Sequence, residues 1–213
     1  MQLQKIKFPL VLIQTHRRGV GIAVLKDEKK IGELLNEPTD LFLNASYHSN
    51  QKTSLYEYFT YHDILFARVL AKTAENLYDL FKFTLDNSGL HTKDINTFAV
   101  GIGPGSFTGL RLGCAFINGI KIGNPFVSLI PVTTYLTPDL LSKCQTKFSE
   151  DACKLQLADF NAEDESTGFV TFFDLYFGLE NIFNEKNLPV ESLTPEYGRQ
   201  PGPVLKMLEG TKL

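Results

Sequence analysis

The feature that most constrains this chain is a short apolar run, Ile95 to Gly101, that leads into Gly103-Pro104-Gly105-Ser106-Phe107-Thr108-Gly109-Leu110-Arg111. From Leu112 to Ile122 apolar residues then recur at helical spacing. A buried strand, a glycine loop and a helix in that order call for an α/β layer arrangement, since both elements must bury an apolar face against a sheet. The same order presents free backbone N–H groups at the positive end of a helix, which is the physical recipe for an anion site. Gly103, Gly105, Ser106 and Thr108 are the candidate anion-binding positions. The recipe is generic. The loop lacks the lysine of a G-x-x-x-x-G-K-S/T phosphate loop, and Ser106 stands where G-x-G-x-x-G has its third glycine. Ser106 is not flanked as in a G-x-S-x-G elbow either, and no His and acid stand in evident triad roles.

The helix after the loop contains Gly109, Gly113 and Gly119. Each costs about 1 kcal/mol relative to Ala in a helix interior, so close backbone approach must compensate. Gly109 and Gly113 share a face, and two surfaces suit them equally: the chain's own sheet, or another helix. Upstream, the pattern from His62 to Asn87 predicts one long helix with two apolar facets. Phe66, Val69, Leu70, Thr73, Leu77, Leu80 and Phe81 form one, and Ile64, Ala67, Ala71, Ala74, Tyr78 and Leu85 the other. One facet can cover a sheet; the second is either buried within the monomer or a docking surface. Asn87-Ser88-Gly89 supplies a glycine cap.

Leu10 to Ile13 and Val20 to Leu25 predict two strands joined by a polar turn, with Ile31 to Leu35 as a candidate third. Residues 36–61 show neither period and read as a long connection. The second half begins near Ile130, and Lys154 to Phe160 and Phe169 to Phe177 predict two strands around an acidic connection. That connection, with Asp159, Glu163, Asp164 and Glu165, lacks the Gly and Glu positions of an EF-hand loop and reads as a solvated hairpin. His16, His48, His62 and His91 share no metal-ligand spacing and read as surface or helix-end residues; no metal site is expected.

Charge bears on partners. The 213 residues carry 21 Lys+Arg against 24 Asp+Glu, net −3, without blocks of one sign, so the lone chain is not expected to grip a phosphate backbone. Cys114, Cys144 and Cys153 form no C-x-x-C pair and read as reduced thiols. The run from Phe8 to Ile13 is too short for a signal-peptide core, and nothing approaches about 18 uninterrupted apolar residues, so no membrane association is expected and the chain reads as soluble and cytoplasmic.

Ala99 through Gly113, nearly without interruption, resembles the signature of the TsaB (YeaZ) family. These are non-catalytic relatives of the tRNA threonylcarbamoyl transferase TsaD within the actin-like ATPase superfamily. His62, at the head of the expected helix, and Pro195-x-Tyr197-x-Arg199 are similar to further family features, and the clear similarity covers residues 10–25 and 62–135. One departure is chemical. Leu12-Ile13-Gln14-Thr15 stands where the superfamily ends a strand in Asp-Thr or Asp-Ser, and Gln14 cannot supply the charge that organises metal and phosphate.

The resemblance implies an α/β fold of two ribonuclease-H-like subdomains, the second reduced, dividing as 1–130 and 131–213 with the tail. It implies a dimerisation subunit supporting TsaD in making N6-threonylcarbamoyladenosine at adenosine 37 of tRNA, with no catalysis by this chain. TsaE would be a further partner, a homodimer is expected when TsaD is absent, and tRNA would be met only through the complex. No cofactor is expected on the lone chain, while the subunit junction is open to a nucleotide. The family's interface is made by its first two helices, which map to 62–87 and 106–122, so the candidate contacts are Ala67, Leu70, Ala71, Ala74, Tyr78, Gly109, Arg111 and Gly113. Arg111 could approach an anion at the loop or bond to a partner's carboxylate. The competing readings are an actin-fold ATP-dependent phosphotransferase, an M22-type glycopeptidase, and a free-standing homodimer with an unrelated binding role.

Overall fold

Residues Leu10–Gln14 and Val20–Leu25 form strands β1 and β2, paired antiparallel and buried along their whole length. The computed structural model describes residues 6–36, 56–61, 63–157, 168–184 and 188–197. The expectations for His48, His62, Asp159, Glu163, Asp164, Glu165 and Arg199 lie outside them. The remaining strands are β3 (Tyr56–Tyr61), β4 (Ile64–Val69), β5 (Thr97–Gly103) and β6 (Ser128–Thr133), and the sheet order is β3-β4-β2-β1-β5-β6. From β3 to β1 every pair is antiparallel, and β1, β5 and β6 run parallel. Four antiparallel strands passing into parallel crossovers, with helices on both faces, make a mixed α/β sheet.

Among the described residues six α-helices cover the two faces: α1 (Lys29–Asn36), α2 (Thr73–Ser88), α3 (Phe107–Gly123), α4 (Thr137–Lys147), α5 (Glu150–Leu157) and α6 (Phe172–Asn184). Alternation along β1 assigns the layers. Val11 and Ile13 pack with Leu77, Leu80 and Phe81 of α2 and with Cys114 and Ile117 of α3. Leu10 and Leu12 pack on the opposite face with Leu34, Leu140 and an aromatic set from α6, Phe172, Phe173, Tyr176 and Phe177. All three cysteines are free and buried, and burial pushes the Cys114 thiol up to about 11.

Five expectations are corrected. The single helix over 62–87 is a strand followed by a helix: Ile64–Val69 is β4, closed onto β3 through Asp63 at φ 63, and only Thr73–Ser88 is helical. A strand buried on both faces shows no polar alternation, so its apolar run merges with the facets of the helix that follows. Ile31 to Leu35 lies in α1, and the connection over 36–61 contains β3. Phe169 to Phe177 is mostly α6, whose start is fixed by a capping box: Thr171 Oγ1 accepts from the Asp174 N–H (3.1 Å), and Thr171 N–H donates to Asp174 Oδ2 (2.7 Å). Lys154 to Leu157 ends α5. The described residues after β6 thus contribute helices α4–α6 to the same sheet, and no second sheet occurs among them. The cap at Gly89 forms as expected, with φ 65 and its N–H on Asp86 O.

Candidate functional site

The carboxyl end of β1, where Gln14 stands in place of the Asp that the resemblance implied, is closed by side chains of this chain. Gln14 is 1% exposed; its Nε2 donates to Asp174 O (3.5 Å), and its Oε1 lies 3.1 Å from His16 Nδ1. His16 Nε2 in turn lies 3.1 Å from Asp174 Oδ1, so His16 is a buried linking residue rather than a surface one. Arg17 Nε donates to the same oxygen (3.2 Å), while its other nitrogens donate to Thr137 Oγ1 (3.0 Å) and Tyr135 O (2.8 Å). Burial pulls the His16 pKa down, against the opposing pull of Asp174. For Asp174, burial alone would favour the neutral acid; Arg17, His16 and the Thr171 N–H together outweigh it and hold the carboxyl well below the usual range. Gly178 of α6 lies so close that an added Cβ would stand 2.6 Å from Gln14 Nε2. This end of β1 is a polar lock between β1 and α6.

The glycine loop is held from inside as well. Ser106 N–H donates to His16 O (2.6 Å), and the Ser106 hydroxyl caps α3 by accepting from Gly109 N–H (3.3 Å). A Cβ on Gly105 would stand 2.4 Å from His16 O, one on Gly109 1.9 Å from Thr15 O, and one on Gly113 2.5 Å from Thr15 Oγ1. Gly103, at φ 136, lies under the backbone of Glu196, whose N–H donates to Ile102 O (2.6 Å). The tail over 188–197 straps this side of the sheet: Asn118 exchanges two hydrogen bonds with the Leu193 backbone (both 2.9 Å), and Tyr197 stacks on Phe107 at 4.3 Å.

Several expected contacts therefore turn inward. Ala67 is fully buried in β4, opposite Ile22 and Tyr58, and cannot meet a partner. Gly109 and Gly113 face Thr15, so of the two surfaces that suited them the chain's own sheet is the occupant. Gly103 and Gly105 serve close chain crossings, whereas Ser106 and Thr108 reach an open surface.

What remains converges on one groove of about 530 Å³. Its walls include Leu70 and Ala71 from the turn before α2, Ala74 from its first turn, Ser106, Thr108 and Leu112 from the loop and α3, and Arg17, Arg18 and Phe169. Two sets of sequence candidates, loop and helix, thus meet in space. Arg18 lies over the Phe169 ring (4.7 Å), and Arg111 is exposed, over Phe107 at 5.1 Å. Tyr78 is 63% exposed farther along α2 and lines a separate depression with Lys82 and His91. The polar lock escaped sequence reasoning, yet the spacing Thr171-x-x-Asp174 announces the helix start that carries its acid. Among the described residues no cluster of three or more His, Cys, Asp or Glu could hold a metal, and no helix is long and apolar enough to cross a membrane.

The model of the family described as TsaD, tRNA N6-adenosine threonylcarbamoyltransferase, matches residues 68–135, from β4 to just beyond β6. Over 53 residues, 25% of this chain and 22% of the relative, the sequence is 43% identical to the tRNA threonylcarbamoyladenosine biosynthesis protein TsaB of Escherichia coli (strain K12). Two solved structures align with 65% of this chain and 48% of theirs. An uncharacterized protein with similarity to peptidase YEAZ from Pseudomonas aeruginosa gives a TM-score of 0.43 at 16% identity. YeaZ from the same organism gives 0.42 at 17%. The matched stretch is under a quarter of the curated relative's length and about half of each solved chain. The chain's resemblance to the TsaB (YeaZ) family, carried first by its glycine loop, is thereby borne out over the part of the chain that these matches cover.

Proposed function

We propose that this chain is an accessory subunit of tRNA threonylcarbamoyladenosine synthesis, pairing with a TsaD-type transferase and turning over no nucleotide itself. The observation that carries the reading is a coincidence of place: residues 68–135, which match the family model, also supply much of the groove and the outer faces of α2 and α3. The polar lock supports the non-catalytic half of the reading. An ATPase of this superfamily needs a carboxylate at the end of β1 to organise metal and phosphate, and here Gln14 occupies that end with its amide engaged by Asp174 and His16. Asp174 is no substitute, since both of its oxygens are bonded within the lock. TsaE and tRNA enter this reading only through the complex, and in TsaD's absence a homodimer forms through the same faces.

The test is reconstitution with the TsaD-family protein of the same cell. The two proteins should co-elute, and threonylcarbamoylation of tRNA should require both. The lone chain should neither hydrolyse Mg-ATP nor bind it at micromolar concentration in calorimetry. Modification that proceeds equally without this chain, or ATP turnover by it alone, would overturn the proposal.

A further inference from the structure

We infer that the groove beside Arg18 seats an acidic segment of the partner protein, with a carboxylate on the Arg18 guanidinium and a neighbouring apolar side chain on the groove floor. The inference rests on the subunit reading above and adds the chemistry of the contact. The cavity, about 530 Å³, has room for one or two large side chains, and Leu70, Ala71, Ala74 and Leu112 make its surface chiefly apolar. Its charge is local and positive. Arg17, one residue earlier, is fully engaged by Asp174, Thr137 and Tyr135, and Arg68 pairs with Glu57 at 2.6 Å. Arg18 is exposed, meets no carboxylate among the described residues, and is steadied over Phe169.

Its backbone is fixed too: Arg18 N–H donates to Gly168 O (3.2 Å), and Val170 N–H donates to Arg18 O (2.9 Å). A planar guanidinium held in place with its donors facing water is pre-organised for a carboxylate. Lys72 lies on the same rim, half neutralised by Glu75 at 3.0 Å, and leaves α2 without a side-chain cap, so the helix end adds to the positive field. A nucleic acid backbone is the weaker match. It needs several cations in a row, whereas this rim offers one unpaired arginine on a chain of net charge −3.

The experiment measures binding to the TsaD-family protein at low and high salt, with Arg18→Glu and Ala74→Glu beside the unaltered chain. Ala74 is an exposed helix position on the groove wall, so its variant keeps the test valid if Arg18→Glu proves unstable. Both variants should melt within a few degrees of the parent, bind about tenfold or more weakly, and lose most of the salt dependence. Reversing the partner's matching acid should restore binding to Arg18→Glu. If the parent binds and both variants match it within about twofold, the groove inference falls and the subunit reading stands. If the parent does not bind that protein at all, both fall. Binding of tRNA to the lone chain that Arg18→Glu abolishes would assign the groove to phosphate and overturn the inference.

Discussion

Asp174 concentrates more of this protein's polar chemistry than any other side chain described, because one buried carboxylate receives His16, Arg17 and Thr171 at once. Replacing it by Ala leaves Arg17 with a buried, uncompensated charge, and urea unfolding should register a loss of about 3–5 kcal/mol. Thr171→Ala removes the cap and the hydroxyl that donates to Asp174 Oδ2, leaving the Thr171 N–H bond in place, and should cost about 1–2 kcal/mol. The lock also fixes the acid response. The His16 pKa lies below its ordinary 6.5, so as pH falls through that value the unfolded chain takes up a proton that the folded chain refuses, and stability drops. The Asp174 pKa lies below its ordinary 3.8, so its contribution is complete above that pH and is lost as acidity carries the folded carboxyl towards protonation. Melting temperature plotted against pH should therefore decline in two stages, and His16→Gln should erase the upper one. Gln14→Asp tests the same place from the opposite side: a shorter acid cannot donate to Asp174 O, and its charge would face that carbonyl inside the core. Lower stability and unchanged, absent ATP hydrolysis are expected, and a gain of hydrolysis would refute the account of β1.

At the level of elements, what could be read from the sequence depended on how each element is buried. Strand β5, the glycine loop, α3 and the central pair β1 and β2 were legible, since each combines a bounded apolar run with turn or glycine punctuation. Helix α6 was not: its residues from Phe172 to Ile182 are all buried, Asp174, Glu180 and Asn181 included, and a helix buried on every side loses the periodic polar face that separates it from a strand. Strand β4 failed for the same reason, which moved Ala67 from an imagined helix facet into the sheet. The groove was half legible. Its loop and helix residues were singled out, but Arg18 and Phe169 reach it only through a bridge between segments about 150 residues apart. The glycines of α3 give a graded test. Gly109→Ala drives a Cβ into the Thr15 carbonyl, which is backbone, and should destabilise by about 1–3 kcal/mol. Gly113→Ala meets the Thr15 hydroxyl instead, a side-chain atom, and regains helix propensity, so its cost should be smaller in the same thermal assay. Ala71→Arg, on the half-buried groove wall, should leave the melting temperature nearly unchanged and abolish pairing with the TsaD-family protein; intact pairing would remove Ala71 from the interface.

Across the whole molecule the two faces of the sheet take their long helices from different stages of the chain. The face under α2 and α3 has its last helix ending at Gly123, and the tail later adds Leu193 and Val190 to it. The opposite face takes its largest side chains from Phe172, Phe173, Tyr176 and Phe177. A chain cut after residue 167 should accordingly keep helical signal yet bind apolar dyes and aggregate, while the full chain stays monodisperse under the same conditions. The return of α6 to β1 also has a tempo. At about 5–20 residues per second, synthesis from Gly103 at the end of β5 to Asn184 at the end of α6 takes on the order of 4–16 seconds, during which Leu10 and Leu12 lack the cover of the α6 aromatics. Clearance of the newborn chain in the cell is therefore set by how long that gap lasts: synonymous codons that slow translation between residues 104 and 171 should lower the soluble yield of a protein whose finished sequence is unaltered.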